Sequence, residues 1–115
     1  QLAAEAAVLE DWDYAKTFHP DLLERRRRLS EGLSRCDGVS WVPTRGGFFA
    51  FARVEGCTDS NSLALRLLDE AHLVTIPGSS FGQCGEGCLR LSYGSVEADA
   101  LNEAVDRLTW FCSGI

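Results

Sequence analysis

Residues 77–94 read PGSSFGQCGEGCLRLSYG, so a loop rich in glycine and serine leads through a Gly-Glu-Gly turn into a short apolar strand. Because side chains alternate along a strand, Arg90 shares a face with Cys88 and Ser92, opposite the leucines and the tyrosine. A guanidinium is costly to bury without an anionic partner, and its planar fork fits a carboxylate through two parallel hydrogen bonds. We therefore expect Arg90 to bind a carboxylate; the alternative is an ion pair with a local acid such as Glu86.

Further strands around this stretch complete a small sheet. The sequence predicts strands at residues 48–54, 73–76 and 88–93, and a short β-like run at residues 39–42. Both faces of residues 48–54 are apolar, which indicates a central strand that is covered on both sides.

Apolar residues at helical spacing predict helices that pack on this sheet. The predicted helices cover residues 1–18, 20–35 and 62–72, and a last helix follows a cap at Ser95. We place a break at residues 17–20 because proline favours the first turn of a helix. This mixture is typical of an α+β fold, here a small, mostly antiparallel sheet of about three strands with helices packed on it.

The composition excludes several classes of protein. A length of 115 residues fits one domain, and a net charge of −6 argues against a general nucleic-acid-binding protein. No secretory signal or long apolar run is visible, so we expect a cytoplasmic protein that binds neither nucleic acid nor membrane. We interpret the basic run at residues 25–28 as a solvated helix face that pairs with Glu24 and Glu31; the alternative is a specific anion site.

Neither the cysteines nor the loop at residues 77–80 indicates a catalytic site. Five cysteines in a chain without a secretory signal indicate free thiols. Cys84 and Cys88 have a spacing that zinc would accept, but the chain offers no second close pair, so we expect small buried thiols and no metal. The loop precedes a strand and not a helix N-terminus, so we expect it to be structural and not a phosphate site.

Further motifs follow one another at suitable spacing along the chain. They are the leucine-rich helix at 22–33, VPTRGGFFAF at 42–51, the helix and short strand at 63–77, LRLS at 89–92, and Glu97 with the closing Arg107-Leu108. Together they resemble the C-terminal small domain of class I and II aminotransferases, which depend on pyridoxal phosphate. The likeness covers residues 20–112. It implies the fold of that small domain, which belongs to the fold-type I enzymes, for residues 20–115, with residues 1–19 as the remnant of an interdomain helix.

The resemblance implies roles for particular residues. In that family the arginine that corresponds to Arg90 holds the α-carboxylate of the substrate. The part of the small domain that corresponds to Gly46 and Gly47 closes over the substrate, which makes both glycines candidate substrate-binding residues; the alternative is a tight turn into the next strand. The resemblance also implies pyridoxal phosphate as the cofactor of the complete enzyme, an amino acid and a 2-oxo acid as substrates, and a possible homodimer.

The resemblance further indicates what this chain lacks. In the family a large domain precedes the small one and supplies the lysine that binds pyridoxal phosphate, together with the groups that hold its ring and phosphate. The only lysine here, Lys16, lacks the surroundings of that lysine, so we expect the chain to contain no catalytic residue and to be inert alone. Because the chain starts at Gln1 and contains no methionine, we expect a fragment; the alternative is a stand-alone, non-catalytic binding or interaction module with the same fold.

Overall fold

The computed structural model describes residues 1–10 and 13–114. Its helices are α1 (Leu2–Leu9), α2 (Asp13–Leu33), α3 (Ser60–Ala71) and α4 (Ala98–Cys112). Its strands are β1 (Val39–Trp41), β2 (Phe49–Val54), β3 (Ile76–Pro77) and β4 (Cys88–Ser92). Two short 3₁₀ turns, Gly78–Phe81 and Gln83–Gly85, connect β3 to β4, and we refer to residues 78–85 as the 3₁₀ loop. These elements confirm the predicted α+β fold.

The strands form one antiparallel sheet in the order β1-β2-β4-β3. β2 and β4 lie in its centre, as predicted for β2, and the register pairs Phe51 with Arg90. The described sheet has four strands, where about three were predicted, because the short run Val39–Trp41 pairs with the end of β2. β3 is shorter than predicted and includes Pro77, which an edge strand tolerates because no further strand needs its missing N–H.

One face of the sheet carries the hydrophobic core. Ala50, Ala52 and Val54 of β2 are buried on this face. Leucines of the helices join Ala50 and Val54 in the core cluster. On the opposite face Phe49 and Phe51 are 37% and 39% exposed. The expectation that β2 is covered on both sides is therefore wrong for the described residues: helices cover one face, and the aromatic face is open.

α2 runs through Pro20 without interruption, so the predicted break at residues 17–20 is wrong. A proline inside a helix costs about 3 kcal/mol, and contacts elsewhere must offset this cost. Phe18 and Leu22, on the turns before and after the proline, line the same two cavities as Phe48, and Leu22 packs against the core. The predicted domain boundary between residues 19 and 20 falls inside α2 and stays a prediction.

The starts of α3 and α4 differ from their predicted positions. α3 begins two residues earlier because the carboxylate of Asp59 caps it, accepting hydrogen bonds of 3.0 and 3.1 Å from two backbone N–H groups of the first turn. α4 begins at Ala98 with Glu97 at its N-cap, so the predicted cap at Ser95 is wrong. Val96 packs against the core while the backbone of Glu97 stays extended, so the burial of Val96 delays the start of the helix.

Candidate functional site

A cavity of about 520 Å³ lies between α2, the start of β2 and the end of β4. Its charged lining residues are Asp21, Arg25 and Arg90. The other lining residues are Phe18, Leu22, Phe48, Phe49, Ser92, Gly94 and Ser95. A largely apolar cavity with a few convergent polar groups is the usual form of a small-molecule site. We therefore take it as the candidate site and call it the Arg90 cavity.

Arg90 enters this cavity from the centre of the sheet. Its pairing with Phe51 places it on the open aromatic face, as strand alternation predicts. The Cζ atom of Arg90 lies 4.4 Å from the ring centroid of Phe49 and 5.1 Å from that of Phe81, both within the range of cation–π attraction. Its Nε is buried and has no hydrogen-bond partner in the described part of the chain. Because a buried donor without a partner is destabilising, this guanidinium is suited to bind an anion.

Glu86, the alternative partner of Arg90, is engaged elsewhere. One of its carboxylate oxygens accepts hydrogen bonds from the backbone N–H of Ser60 at 2.6 Å and of Gly87 at 3.0 Å. These two hydrogen bonds, of which the one from Ser60 has the larger effect, hold the pKa of Glu86 below its ordinary value. Its charge also lies at the start of α3, where the helix dipole favours an anion. The alternative of an ion pair between Glu86 and Arg90 is therefore wrong.

Arg25 is a residue of the cavity that the sequence reasoning missed. Its side chain is only 16% exposed, and its Nη1 donates a hydrogen bond of 3.0 Å to the carbonyl oxygen of Gly94. Spacings of four and three residues place Phe18, Leu22 and Arg25 on one face of a continuous helix. This spacing is the signal in the sequence, and the wrongly predicted break at residues 17–20 separated Phe18 from the other two residues.

The remaining arginines of the basic run have structural partners. Arg26 donates a hydrogen bond of 2.9 Å to the carbonyl oxygen of Thr44. Arg27 and Arg28 each donate a hydrogen bond of 2.8 Å to a carboxylate oxygen of Glu24. These bonds, of which the one from Arg27 has the larger effect, lower the pKa of Glu24 to about 2. The predicted pairing on a solvated face is therefore confirmed for Arg27 and Arg28, whereas Arg25 and Arg26 connect α2 to loops.

Gly46 and Gly47 line a neighbouring cavity of about 270 Å³ and not the Arg90 cavity. The two cavities share the lining residues Phe18, Leu22 and Phe48. Gly47 has a φ of 72°, which favours glycine, and its carbonyl oxygen accepts a hydrogen bond of 3.0 Å from the hydroxyl of Tyr93. The tight-turn alternative accounts for Gly47, while substrate contact by Gly46 and Gly47 stays a prediction.

The other candidate residues of the sequence lie outside the Arg90 cavity. Lys16 is exposed on α2 and is not part of the lining. All five cysteines are free, and the expectation of a buried thiol is confirmed for Cys88 but wrong for Cys84, which is exposed on the 3₁₀ loop. The described ranges contain no group of three or more side chains placed to hold a metal ion. Gly78 packs against the backbone of Gly85, which is the structural role expected for this loop.

Comparisons with known proteins point to one family. The family model of aminotransferase class I and II matches residues 2–108. The chain is 36% identical to an LL-diaminopimelate aminotransferase from Maridesulfovibrio salexigens over 95% of its own length and 28% of that protein. It is 31% identical to an aspartate aminotransferase from Pyrococcus horikoshii, over 86% of this chain and 25% of that protein.

Among solved structures, the fold is similar to an alanine aminotransferase from Pyrococcus furiosus. The TM-score is 0.90 at 30% sequence identity, and the match covers 98% of this chain and 29% of that one. The chain thus spans between a quarter and three tenths of the length of the relatives that it matches.

Proposed function

Because the chain belongs to the class I and II aminotransferase family, we propose that it is the C-terminal small domain of a pyridoxal-phosphate-dependent aminotransferase. In the complete enzyme it binds the α-carboxylate of an amino acid or a 2-oxo acid through Arg90, while an amino group passes between the two substrates. One observation carries this proposal: the guanidinium of Arg90 lines a largely apolar cavity, and its buried Nε has no hydrogen-bond partner among the described residues.

The surroundings of Arg90 support the binding of a carboxylate over other ligands. A guanidinium presents parallel N–H donors that match the two oxygens of a carboxylate. The rings of Phe49 and Phe81 lie beside it, and its Nε is buried, so a low local dielectric strengthens a charge-assisted hydrogen bond from this nitrogen. Fixing the carboxylate also fixes the direction of the bonds at the adjacent carbon, which is how a binding residue lowers the barrier for chemistry at that carbon.

The residues of this chain do not fit a covalent site for pyridoxal phosphate. That cofactor, when bound, supplies the electron sink for the reaction. The only lysine of the chain, Lys16, is exposed and does not line the Arg90 cavity. We propose that the lysine and the groups that hold the ring and the phosphate come from a large domain of the complete protein. The isolated chain is then inert, and its contribution to the enzyme is substrate binding.

The proposed assembly rests on the same resemblance, and the proposed location rests on the sequence. No helix within residues 1–10 and 13–114 has the length and apolar content that crossing a membrane requires. We propose that the complete enzyme is a cytoplasmic homodimer and that the substrates are an amino acid and a 2-oxo acid.

The first experiment establishes what the complete gene product contains. Sequencing the transcript upstream of Gln1 is expected to reveal a large domain with the lysine that binds the cofactor. An initiator codon directly before Gln1 would instead favour a free-standing binding or interaction module and would overturn the aminotransferase proposal.

The second experiment tests Arg90 in the complete gene product. Arg90→Lys keeps the charge but loses one of two parallel hydrogen bonds, each worth about 1.5–3 kcal/mol, so kcat/KM for the amino acid is expected to fall about 10- to 100-fold. Arg66→Lys is the matched control, because the Cζ of Arg66 also lies over a phenylalanine ring, 5.1 Å from the centroid of Phe111. The Arg66 variant is expected to leave kcat/KM unchanged. An Arg90 variant with the kcat/KM of the unaltered enzyme would refute the role of Arg90.

A further inference from the structure

We propose that Phe81 is a positioning residue: its ring fixes the plane of the Arg90 guanidinium, so that Arg90 presents its donors to the carboxylate in the Arg90 cavity. The inference rests on the proposed function of Arg90 and extends it to a residue on a separate loop. Phe81 lies on the first 3₁₀ turn, Gly78–Phe81, and is not part of the cavity lining. It acts only through Arg90.

Aromatic contacts are what orient the guanidinium among the described residues. Its Nε lacks a hydrogen-bond partner in this part of the chain, and Glu86 is engaged by Ser60 and Gly87. The rings of Phe49 and Phe81 lie 4.4 and 5.1 Å from its Cζ. A long side chain that has no fixed polar partner samples several rotamers, so these two rings restrict an otherwise mobile group.

The two rings have different relations to the site. Phe49 lines the Arg90 cavity, so a change there alters both the walls of the cavity and the orientation of Arg90. Phe81 contacts Arg90 from outside the lining, so a change there alters the orientation of Arg90 and leaves the walls of the cavity in place. This difference makes Phe81 the residue that tests the positioning role.

The position of Phe81 is itself well supported. Its ring meets the ring of Phe51 edge to face, with centroids 5.9 Å apart and an interplanar angle of 84°. The 3₁₀ turn is tied to α3 because the hydroxyl of Ser60 donates to the hydroxyl of Ser79 at 3.0 Å and accepts from its backbone N–H at 3.2 Å. Ser60 is fully buried. A ring that contacts Phe51, on a turn tied to α3, pre-organises the arginine before the substrate arrives, so less binding free energy is lost in ordering that side chain.

The first test is spectroscopic and uses the 115-residue chain. A proton close to an aromatic face is shifted upfield in NMR spectra, so the Nε–H signal of Arg90 reports the stacking directly. Phe81→Leu is expected to move this signal towards the position of an unstacked arginine, whereas Phe81→Tyr, which keeps the ring, retains it. Trp110→Leu is the matched control, because Trp110 and Phe81 are similarly exposed, at 63% and 52%, while the described rings beside Arg90 are those of Phe49 and Phe81. An Arg90 signal that Phe81→Leu leaves in place would overturn the inference.

The second test is a double-mutant cycle in the complete gene product, with kcat/KM for the amino acid as the readout. Phe81→Leu is expected to lower kcat/KM about two- to fivefold, the range of one cation–π contact, and Phe81→Tyr to restore it. In an Arg90→Gln background, Phe81→Leu is expected to have no further effect. Equal losses in both backgrounds would mean a general structural role and would refute positioning. If Arg90→Gln itself had no effect, the proposed function of Arg90 would fail instead.

Discussion

The structure predicts that Gly78→Ala will strongly destabilise the chain and displace the loop that carries Phe81. A Cβ atom at residue 78 would lie 2.0 Å from the carbonyl oxygen of Gly85 and 2.7 Å from that of Cys88. Comfortable non-bonded contacts of carbon are about 3.5 Å or longer, so the new methyl group requires shifts of more than about 1 Å. Both obstructing atoms belong to the backbone and cannot rotate away as a side chain would.

The expected magnitude is at the upper end of the range for overpacking, about 3 kcal/mol in the free energy of unfolding. At roughly 4–8 °C per kcal/mol for a domain of this size, the melting temperature is expected to fall by about 10–20 °C. The assay is urea and thermal unfolding of the 115-residue chain, followed by circular dichroism at low protein concentration. Because the same loop carries Phe81, the Nε–H signal of Arg90 is expected to move as well.

Gly46→Ala is the matched control for this prediction. No heavy atom lies within 4 Å of the position of its Cβ, and Gly46, unlike Gly47, does not have a positive φ. The control is expected to be neutral or to stabilise the chain by up to about 1 kcal/mol, because alanine restricts the unfolded state. If Gly78→Ala unfolded at the same urea concentration as the unaltered chain, the close packing of Gly78 on Gly85 would be refuted.

Three more predictions concern charge, surface and cofactor. Because hydrogen bonds lower the folded-state pKa of Glu86, the Glu86 carboxylate stabilises the fold above about pH 4.5, and this stabilisation is lost as the pH falls towards the lowered pKa. The difference in unfolding free energy between the unaltered chain and Glu86→Gln is therefore expected to shrink below about pH 4.5. A difference that stays constant with pH would contradict this prediction. The open face with Phe49 and Phe51 is expected to cause self-association of the isolated chain, which Phe51→Ser should reduce in sedimentation velocity experiments; a monodisperse monomer at high concentration would count against this. After incubation with pyridoxal phosphate and borohydride reduction, the fraction of Lys16 that carries the cofactor is expected to match that of a surface lysine in a reference protein, as measured by mass spectrometry. A stoichiometric adduct at Lys16 would disprove inertness.

The sequence predicts the main features around Arg90 because they depend on local periodicity. Alternation along β4 places Arg90 opposite the leucine face, and the observed pairing with Phe51 agrees with this. Helical spacing likewise predicts the buried leucines of α3 and α4, such as Leu63, Leu67 and Leu101. These patterns extend over a few residues, so neighbours in sequence are sufficient to define them.

The errors of the sequence reasoning occur where distant residues compete with a local preference. The local preference of Pro20 predicts a helix break, but α2 is continuous and Leu22, just after the proline, packs against the distant residues of the core. The hydroxyl of Ser95 predicts a helix cap, but burial of Val96 delays the helix. The predicted break also separated Phe18 from Leu22 and Arg25, although all three line the same cavity.

The sequence by itself determined the fold class, the face on which Arg90 lies and the family, since each of these depends on residue types in short motifs. The tertiary structure alone decided which groups meet. Glu86 lies only four residues from Arg90, yet it binds the backbone of Ser60, 26 residues away, and this leaves Arg90 between two phenylalanine rings. The physical reason is that a buried charge takes the partners that the folded backbone brings within hydrogen-bonding distance, and this choice depends on contacts that no short segment contains.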